Sequence, residues 1–307
     1  MKKLVVVAGP SASGKSSLAL RLAEAFGGVI VNADSMQVYQ GVPILTAQPN
    51  EADLKRAPHR LYGVIPPGQS CSAGIWRQMA SDACDSVWAA GKLPILVGGT
   101  GLYIRSLLDG LSPIPDIPDA VREESRALFA KLGNAAFHAA LAERDPVMAE
   151  RLDAANSQRV VRAWEVLAAT GRSLADWQTE PRQGGLGADS RIIAVTPPRE
   201  QLYRNCDHRL ESMLEHGALE EVRALTALDL DPALPVMKAL GVTEFAAHLR
   251  GEISLPNSLA AAQQATRNYA KRQLTWFRHQ IVTDLTISEQ FSEIVFEKIF
   301  SFIRSFR

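Results

Sequence analysis

Leu4-Val5-Val6-Val7-Ala8 is an unbroken apolar run that stops at a glycine-rich turn, the pattern of a short strand buried on both faces. Beyond the turn the period lengthens. Leu18, Leu22 and Phe26 recur at helical spacing across 16–26, and Gly27-Gly28 ends the helix they predict. Val29-Ile30-Val31 restores the buried-strand pattern, so strand, helix and strand make a parallel βαβ unit. A helical run over 72–88 precedes a third strand, Leu93-Pro94-Ile95-Leu96-Val97, closed by Gly98-Gly99-Thr100-Gly101. Arg191-Ile192-Ile193-Ala194-Val195-Thr196 predicts a fourth. After Pro198 the pattern is helical, and the sheet is expected to be complete with that fourth strand.

Between the third and fourth strands the chain changes character. Ser112-Pro113-Ile114-Pro115-Asp116-Ile117-Pro118 is a proline-rich boundary. From Ala120 to Gln178 the chain is alanine-rich and helical in pattern, and Gln183-Gly184-Gly185-Leu186-Gly187 closes the region. The expected organisation is an α/β core over 1–112 and 185–307, interrupted by a helical insertion at 113–184. Phe291 to Phe306 mixes aromatic and aliphatic residues with Glu293, Glu297, Lys298 and Arg304. That stretch predicts an amphipathic helix docked on the body of the protein rather than on a membrane.

Composition narrows the partners. The 307 residues hold 33 basic and 33 acidic side chains, so no global field attracts nucleic acid, and any RNA site must be local. Cys71, Cys84 and Cys206 form no CxxC pair, which argues against a disulfide framework or a zinc ribbon and fits a reducing cytoplasm. His59, His138, His208 and His248 are scattered without metal-ligand spacing. No apolar run reaches the length of a membrane span or of a signal-peptide core.

The turn after the first strand carries the strongest chemical signal. Gly9-Pro10-Ser11-Ala12-Ser13-Gly14-Lys15-Ser16 satisfies G-x-x-x-x-G-K-S, on a strand and opening a helix, as a P-loop requires. Backbone N–H groups of Ser13 to Ser16 point at phosphate oxygens there, and the helix N-terminus adds its positive end. Lys15 supplies a mobile charge, and the Ser16 hydroxyl is a ligand for Mg²⁺ bridging phosphates. Phosphate binding alone does not specify ATP. A nucleotide hydrolase needs an acidic residue ending a hydrophobic strand, and Ile95-Leu96-Val97-Gly98-Gly99 ends without one. A carboxylate appears instead at the neighbouring strand end, where Asp34 follows Val31-Asn32-Ala33 at the ligand edge of an open sheet. It suits a general base, a group holding Mg²⁺ through water, or a cap on the turn it makes with Ser35 and Gln37.

Taken together with Asn32-Ala33-Asp34-Ser35-Met36-Gln37-Val38-Tyr39 and Gly98-Gly99-Thr100-Gly101-Leu102-Tyr103, the P-loop resembles that of the tRNA dimethylallyltransferases. The likeness continues through Gln158-Arg159-Val160-Val161-Arg162 and Tyr269-Ala270-Lys271-Arg272-Gln273-Leu274-Thr275-Trp276-Phe277-Arg278, covering nearly the whole chain in order. It implies a P-loop NTPase-like core whose cradle holds the diphosphate of dimethylallyl diphosphate with Mg²⁺. Arg209, within Asp207-His208-Arg209-Leu210, matches an arginine that also clamps diphosphate. Asp34 matches the base that accepts a proton from N6 of the adenosine next to the anticodon. Asp34, Ser35, Met36, Gln37, Thr100 and Arg122 match positions used against tRNA. So do Gln158, Arg159, Val160, Val161 and Arg162, the segment Lys238-Ala239-Leu240-Gly241-Val242-Thr243, and Lys271 through Arg278. The insertion resembles a mobile helical domain that closes on the anticodon stem-loop, and the family implies a cytoplasmic monomer. One loop departs: where the pattern runs Ile-Gly-Thr-Ala-Lys-Pro, this chain has Ile44-Leu45-Thr46-Ala47-Gln48-Pro49.

Two surfaces bear on an RNA acceptor. Between Ala260 and Val282 stand Arg267, Lys271, Arg272 and Arg278 with no acidic residue. Arg267, Lys271 and Arg278 share one helix face, opposite Tyr269 and Trp276. Trp164 and Trp276 are expected in cores rather than against bases. A metabolite kinase and a prenyltransferase of free adenylate remain open from the residues alone; the insertion and the basic helix favour a macromolecular acceptor.

Overall fold

The computed structural model describes residues 2–288 and 293–306. Six parallel strands form one sheet in the order β3-β2-β4-β1-β5-β6. They are β1 (Lys3–Ala8), β2 (Val29–Asn32), β3 (His59–Arg60), β4 (Pro94–Gly98), β5 (Asp189–Val195) and β6 (Leu285–Ile287). β1 is central, Val6 facing Leu96 of β4 on one side and Ile192 of β5 on the other. Its side chains alternate between two cores: Leu4, Val6 and Ala8 face one, while Val5 and Val7 face the other. That is why the run is apolar at every position instead of every second one.

The four strands expected from the apolar runs are present. The sheet does not stop at β5, however. β6 pairs Ala194 with Thr286 at one edge, and β3 pairs Ile30 with His59 at the other. Two- and three-residue edge strands are too short to establish a hydrophobic period, although β6 does turn Leu285 and Ile287 to the core.

Helices cover both faces. Lys15–Phe26 lies on one with the carboxy-terminal helix Glu293–Phe306, which buries Val295, Phe296, Ile299, Ile303 and Phe306. Phe300 stacks on Phe26 with ring centroids 4.8 Å apart. This is the docked amphipathic helix expected there; Phe291 lies outside the described residues. The other face carries Ala73–Ala89, capped by the Ser72 hydroxyl accepting from the Ile75 amide, with Ala218–Thr226 and Val242–Leu249. Among the described residues, no helix is long and apolar enough to cross a membrane.

The chain divides into two compact units, residues 1–108 with 186–307 and residues 109–185. The second unit contains the helices Asp119–Arg144, Pro146–Arg151, Ser157–Thr170 and Leu174–Thr179. It has its own core, with Phe137, Leu141, Val160, Ala163 and Val166 at its centre. Leu111 and Gln183 exchange both backbone hydrogen bonds, at 3.0 and 2.8 Å, and bring the two ends of the unit together.

Candidate active site

The P-loop leaves β1 and turns into the Lys15–Phe26 helix. Gly14, the residue before the helix, has φ 90°, a left-handed conformation that a side chain strains. Lys15 is buried and folds its ammonium back to the Pro10 carbonyl at 3.1 Å. Burial lowers its pKa to about 8; the Asp34 carboxylate opposes that shift and Arg209 adds to it. The Ser13 hydroxyl is buried without a hydrogen-bond partner. A buried orphan oxygen is costly until something donates to it or accepts from it, and it lies in the wall of an open cavity. That cavity, of about 460 Å³, is bounded by the P-loop, Ile44, Ala47, Gln48, Asp53 and Arg209. Arg209 projects from the helix Arg199–Glu215, half-buried, and its Nη2 lies 3.5 Å from the Thr46 carbonyl.

Asp34 stands just beyond β2. Its Oδ1 accepts from the Met36 amide at 3.0 Å, so the turn-capping role is real. Oδ2 makes no hydrogen bond among the described residues and remains available for chemistry. The Asn32 side chain holds the turn from below, accepting from the Asp34 amide at 2.8 Å and donating to the Asp34 and Leu61 carbonyls. Burial lowers the pKa of both Lys15 and Arg209, and the Asp34 carboxylate offsets part of that; burial raises the Tyr62 and Tyr269 hydroxyls, and the same carboxylate adds to it. Its field therefore reaches the phosphate cradle and two phenols.

Thr100 and Gln273 lock the surroundings. Thr100 Oγ1 accepts from the Ser35 amide at 2.9 Å and donates to the Ser35 hydroxyl at 3.2 Å. Gln273, buried on the long helix Leu255–Gln280, accepts from the Ser11 amide and donates to the Gly99 carbonyl, both at 2.8 Å. A Cβ on Gly99 would lie 2.2 Å from Gln273 Nε2, and one on Gly101 would lie 2.1 Å from the Trp276 ring. These glycines permit close approach of the helix.

The structure sorts the residues matched to RNA segments. Lys271, Arg272, Thr275 and Arg278 are exposed, as are Lys238 and Thr243, and Gln158 and Arg159 in the second unit. Ser35, Met36, Gln37, Thr100, Arg122, Val161, Arg162, Leu240 and Trp276 are half-buried. Arg122 donates to the Ile117 carbonyl at 3.1 Å, and Arg162 pairs with Glu165 at 3.4 Å. Val160, Ala239, Val242, Gln273, Leu274 and Phe277 are buried, so their side chains face protein and not RNA. Gly241 is also buried and starts a helix. A helix presents only part of its circumference to a ligand, and a matched segment includes the inward residues that seat it. Arg267 is likewise spent, bonded to Asp207 and Gln264. Trp164 and Trp276 are half-buried and pack against the edges of their cores, each beside a phenylalanine, rather than lying fully inside them as expected.

The loop departures are absorbed. Leu45 is not among the residues with positive φ, and its side chain is buried beside Gly241, 3.2 Å from where a Cβ there would stand. Gln48 donates to the Tyr39 carbonyl at 2.8 Å and the Thr46 hydroxyl at 3.2 Å. Sequence reasoning missed Glu221, whose carboxylate holds this loop, because nothing within the helix Ala218–Thr226 points to a partner about 177 residues away.

The donor set suits a phosphate-borne Mg²⁺. Among the described residues no three His, Cys, Asp or Glu side chains converge, and Ser16 exposes its hydroxyl beside the cavity. Mg²⁺ keeps several waters and binds through one or two protein groups plus phosphate oxygens, so a single hydroxyl is a sufficient anchor.

Comparison with known proteins matches residues 37–280 to the family model described as IPP transferase. A tRNA dimethylallyltransferase from Paramagnetospirillum magneticum is 58% identical over 98% of this chain and 95% of its own length. One from Rhodospirillum centenum is 54% identical over 91% of this chain and 90% of its own. The full-length tRNA isopentenylpyrophosphate transferase of Bacillus halodurans superposes with a TM-score of 0.72 at 30% identity, covering 99% of this chain and 96% of that one. A eukaryotic dimethylallyltransferase acting on tRNA gives a TM-score of 0.75 at 27% identity, covering 90% of this chain and 70% of that one. With a P-loop on the central strand of a parallel sheet and a carboxylate at the next strand end, the chain belongs to the IPP transferase family.

Proposed function

We propose that this protein transfers a dimethylallyl group from dimethylallyl diphosphate to N6 of the adenosine 3′-adjacent to the anticodon in tRNA, releasing diphosphate. The observation that carries the reading is the unshared Oδ2 of Asp34, whose field bears on both Lys15 and Arg209 at the phosphate cradle. A base at the same sheet edge as an anion cradle, close enough for its charge to be felt there, is what allylic transfer to an amine needs. A phosphoryl transfer would instead need an acidic strand end after β4, where the chain has Val97-Gly98-Gly99.

The adenine amine is a weak nucleophile because its lone pair is delocalised into the ring. Positioning it against the allylic carbon and removing its proton are the two tasks of the acceptor side. N6 forms the new bond to the allylic C1, the C1–O bond breaks, and Asp34 takes the N6 proton. The bonding pair leaves on the diphosphate. The P-loop amides, Lys15 and Arg209 stabilise that growing charge. Mg²⁺ held by Ser16 would supply further charge neutralisation on the diphosphate.

The target base must leave the anticodon stack, at a cost of about a few kcal/mol. Contacts to the RNA backbone offset it. Lys271, Arg272, Arg278, Lys238 and Thr243 on one unit, with Gln158 and Arg159 on the other, are the exposed groups suited to that work. Arg122 and Arg162 are half-buried and each spends one nitrogen on a protein partner, which leaves further N–H donors for RNA.

Incubation with labelled dimethylallyl diphosphate and either unmodified tRNA or AMP tests the reading. Label entering tRNA is expected. Label entering AMP and never tRNA overturns it in favour of a free-adenylate prenyltransferase, and ADP formed from ATP with a metabolite acceptor overturns it in favour of a kinase.

A further inference from the structure

Residues 43–48 form one wall of the phosphate cavity through Ile44, Ala47 and Gln48, yet they include only one short helical turn, Pro43–Thr46. Such a segment holds a fixed shape only when its backbone groups are tied down. The Thr46, Ala47 and Gln48 amides bond to the Val42, Ile44 and Pro43 carbonyls, which closes the turn on itself, while the two amides that open it are tied to the body of the protein by one carboxylate. Glu221 Oε1 accepts from the Ile44 amide at 2.6 Å and Oε2 accepts from the Leu45 amide at 2.9 Å. On the carbonyl side, Gln37 Nε2 donates to Thr46 and Ala47 at 2.8 and 2.7 Å, and Arg209 approaches the same Thr46 oxygen.

We infer that Glu221 is a positioning residue for the diphosphate end of the prenyl donor, acting through the 43–48 loop on the cavity wall and on Arg209. The inference rests on reading the cavity as the donor site. Glu221 does not itself line the cavity, so its negative charge is not set against the incoming anion. Burial pushes its carboxyl up, and the two amide N–H donors pull it part of the way back by favouring the ionised form that accepts from both. The clamp grips backbone only. It is therefore indifferent to the side chains at 44 and 45, and the loop keeps its tie with leucine at 45.

Chemistry makes the carboxylate specific. Two N–H donors need two acceptors on one rigid fork, and ionised glutamate provides them. Glutamine has nearly the same shape but accepts with one arm only, and its amide nitrogen then faces the second N–H.

The test compares wild type with E221Q and E221A, reading kcat, the donor KM and the tRNA KM, with calorimetric titration of inorganic diphosphate beside them. E221Q, which preserves volume, is expected to raise the donor KM about tenfold and weaken diphosphate to match, the loss of one charge-assisted bond from the pair. Its kcat and tRNA KM stay within about twofold of wild type. E221A is expected to shift the donor parameters further in the same direction. If wild type binds diphosphate and E221Q binds it equally well, the clamp is refuted while the cavity reading stands. A loss spread evenly over donor KM, tRNA KM and kcat marks a merely structural carboxylate and overturns the inference as well. Wild-type protein that takes up no diphosphate overturns the cavity reading and the clamp with it.

Discussion

Asp34 divides its carboxylate between two tasks. Oδ1 caps the turn by accepting from Met36, and Oδ2 is left for the substrate. Asparagine keeps an acceptor for the Met36 amide but has no affinity for a proton. Asp34→Asn should therefore fold normally, bind tRNA within about threefold, and lose about 10²–10⁴ in single-turnover transfer. Transfer at the wild-type rate would remove Asp34 as the base. Lys15 titrates near neutrality because burial lowers it to about 8. Below that pH it is charged and the cradle is complete; above it the free protein loses the cation. The kcat/KM for the donor, which reports the free enzyme, should be level near pH 7 and fall with unit slope above pH 8. A flat profile to pH 10 would contradict the buried ammonium.

At the scale of elements, legibility follows burial on two faces. β1, β2, β4 and β5 are written as apolar runs because both sides of each strand meet a core. β3 and β6 are too short to be read as runs: β3 is only His59-Arg60, and β6 turns Leu285 and Ile287 to the core but offers a single alternation. The site divides the same way. The P-loop and Asp34 are readable because each follows a strand at a fixed offset. Gln273 and Glu221 are not, because their work is to hold loops 262 and about 177 residues away, and no local period encodes such distances. The carboxy-terminal helix is legible as a stripe, and it carries weight. Ile299 is fully buried between that helix and the sheet. Ile299→Ala should destabilise the fold by about 2–5 kcal/mol, seen as a lower urea midpoint at constant slope. A midpoint unchanged within error would mean the helix is not part of the cooperative unit.

For the whole molecule, zero net charge makes RNA binding a matter of placement. Arg159 is exposed in the second unit, and the basic side chains of the long helix are exposed in the first. Each phosphate contact contributes a counterion-release term, so Arg159→Ala should weaken tRNA binding and reduce the salt slope by about 0.7 to 0.9. Filter binding across 50–200 mM salt would show it, and an unaltered slope would exclude the contact. Because each unit has its own core, that substitution should leave diphosphate affinity at the wild-type level.

The hydrogen bond from the Ser11 amide to Gln273 spans 262 residues. A ribosome makes the P-loop 262 residues ahead of its latch. Throughout synthesis, the nascent chain carries a phosphate loop that lacks its closing contact and a central strand waiting for β5. A chain cut short before residue 273 would display the full loop motif yet should hold no prenyl diphosphate. The loop is thus latched only once residue 273 has been made, so products that stop short of it should not drain the prenyl pool.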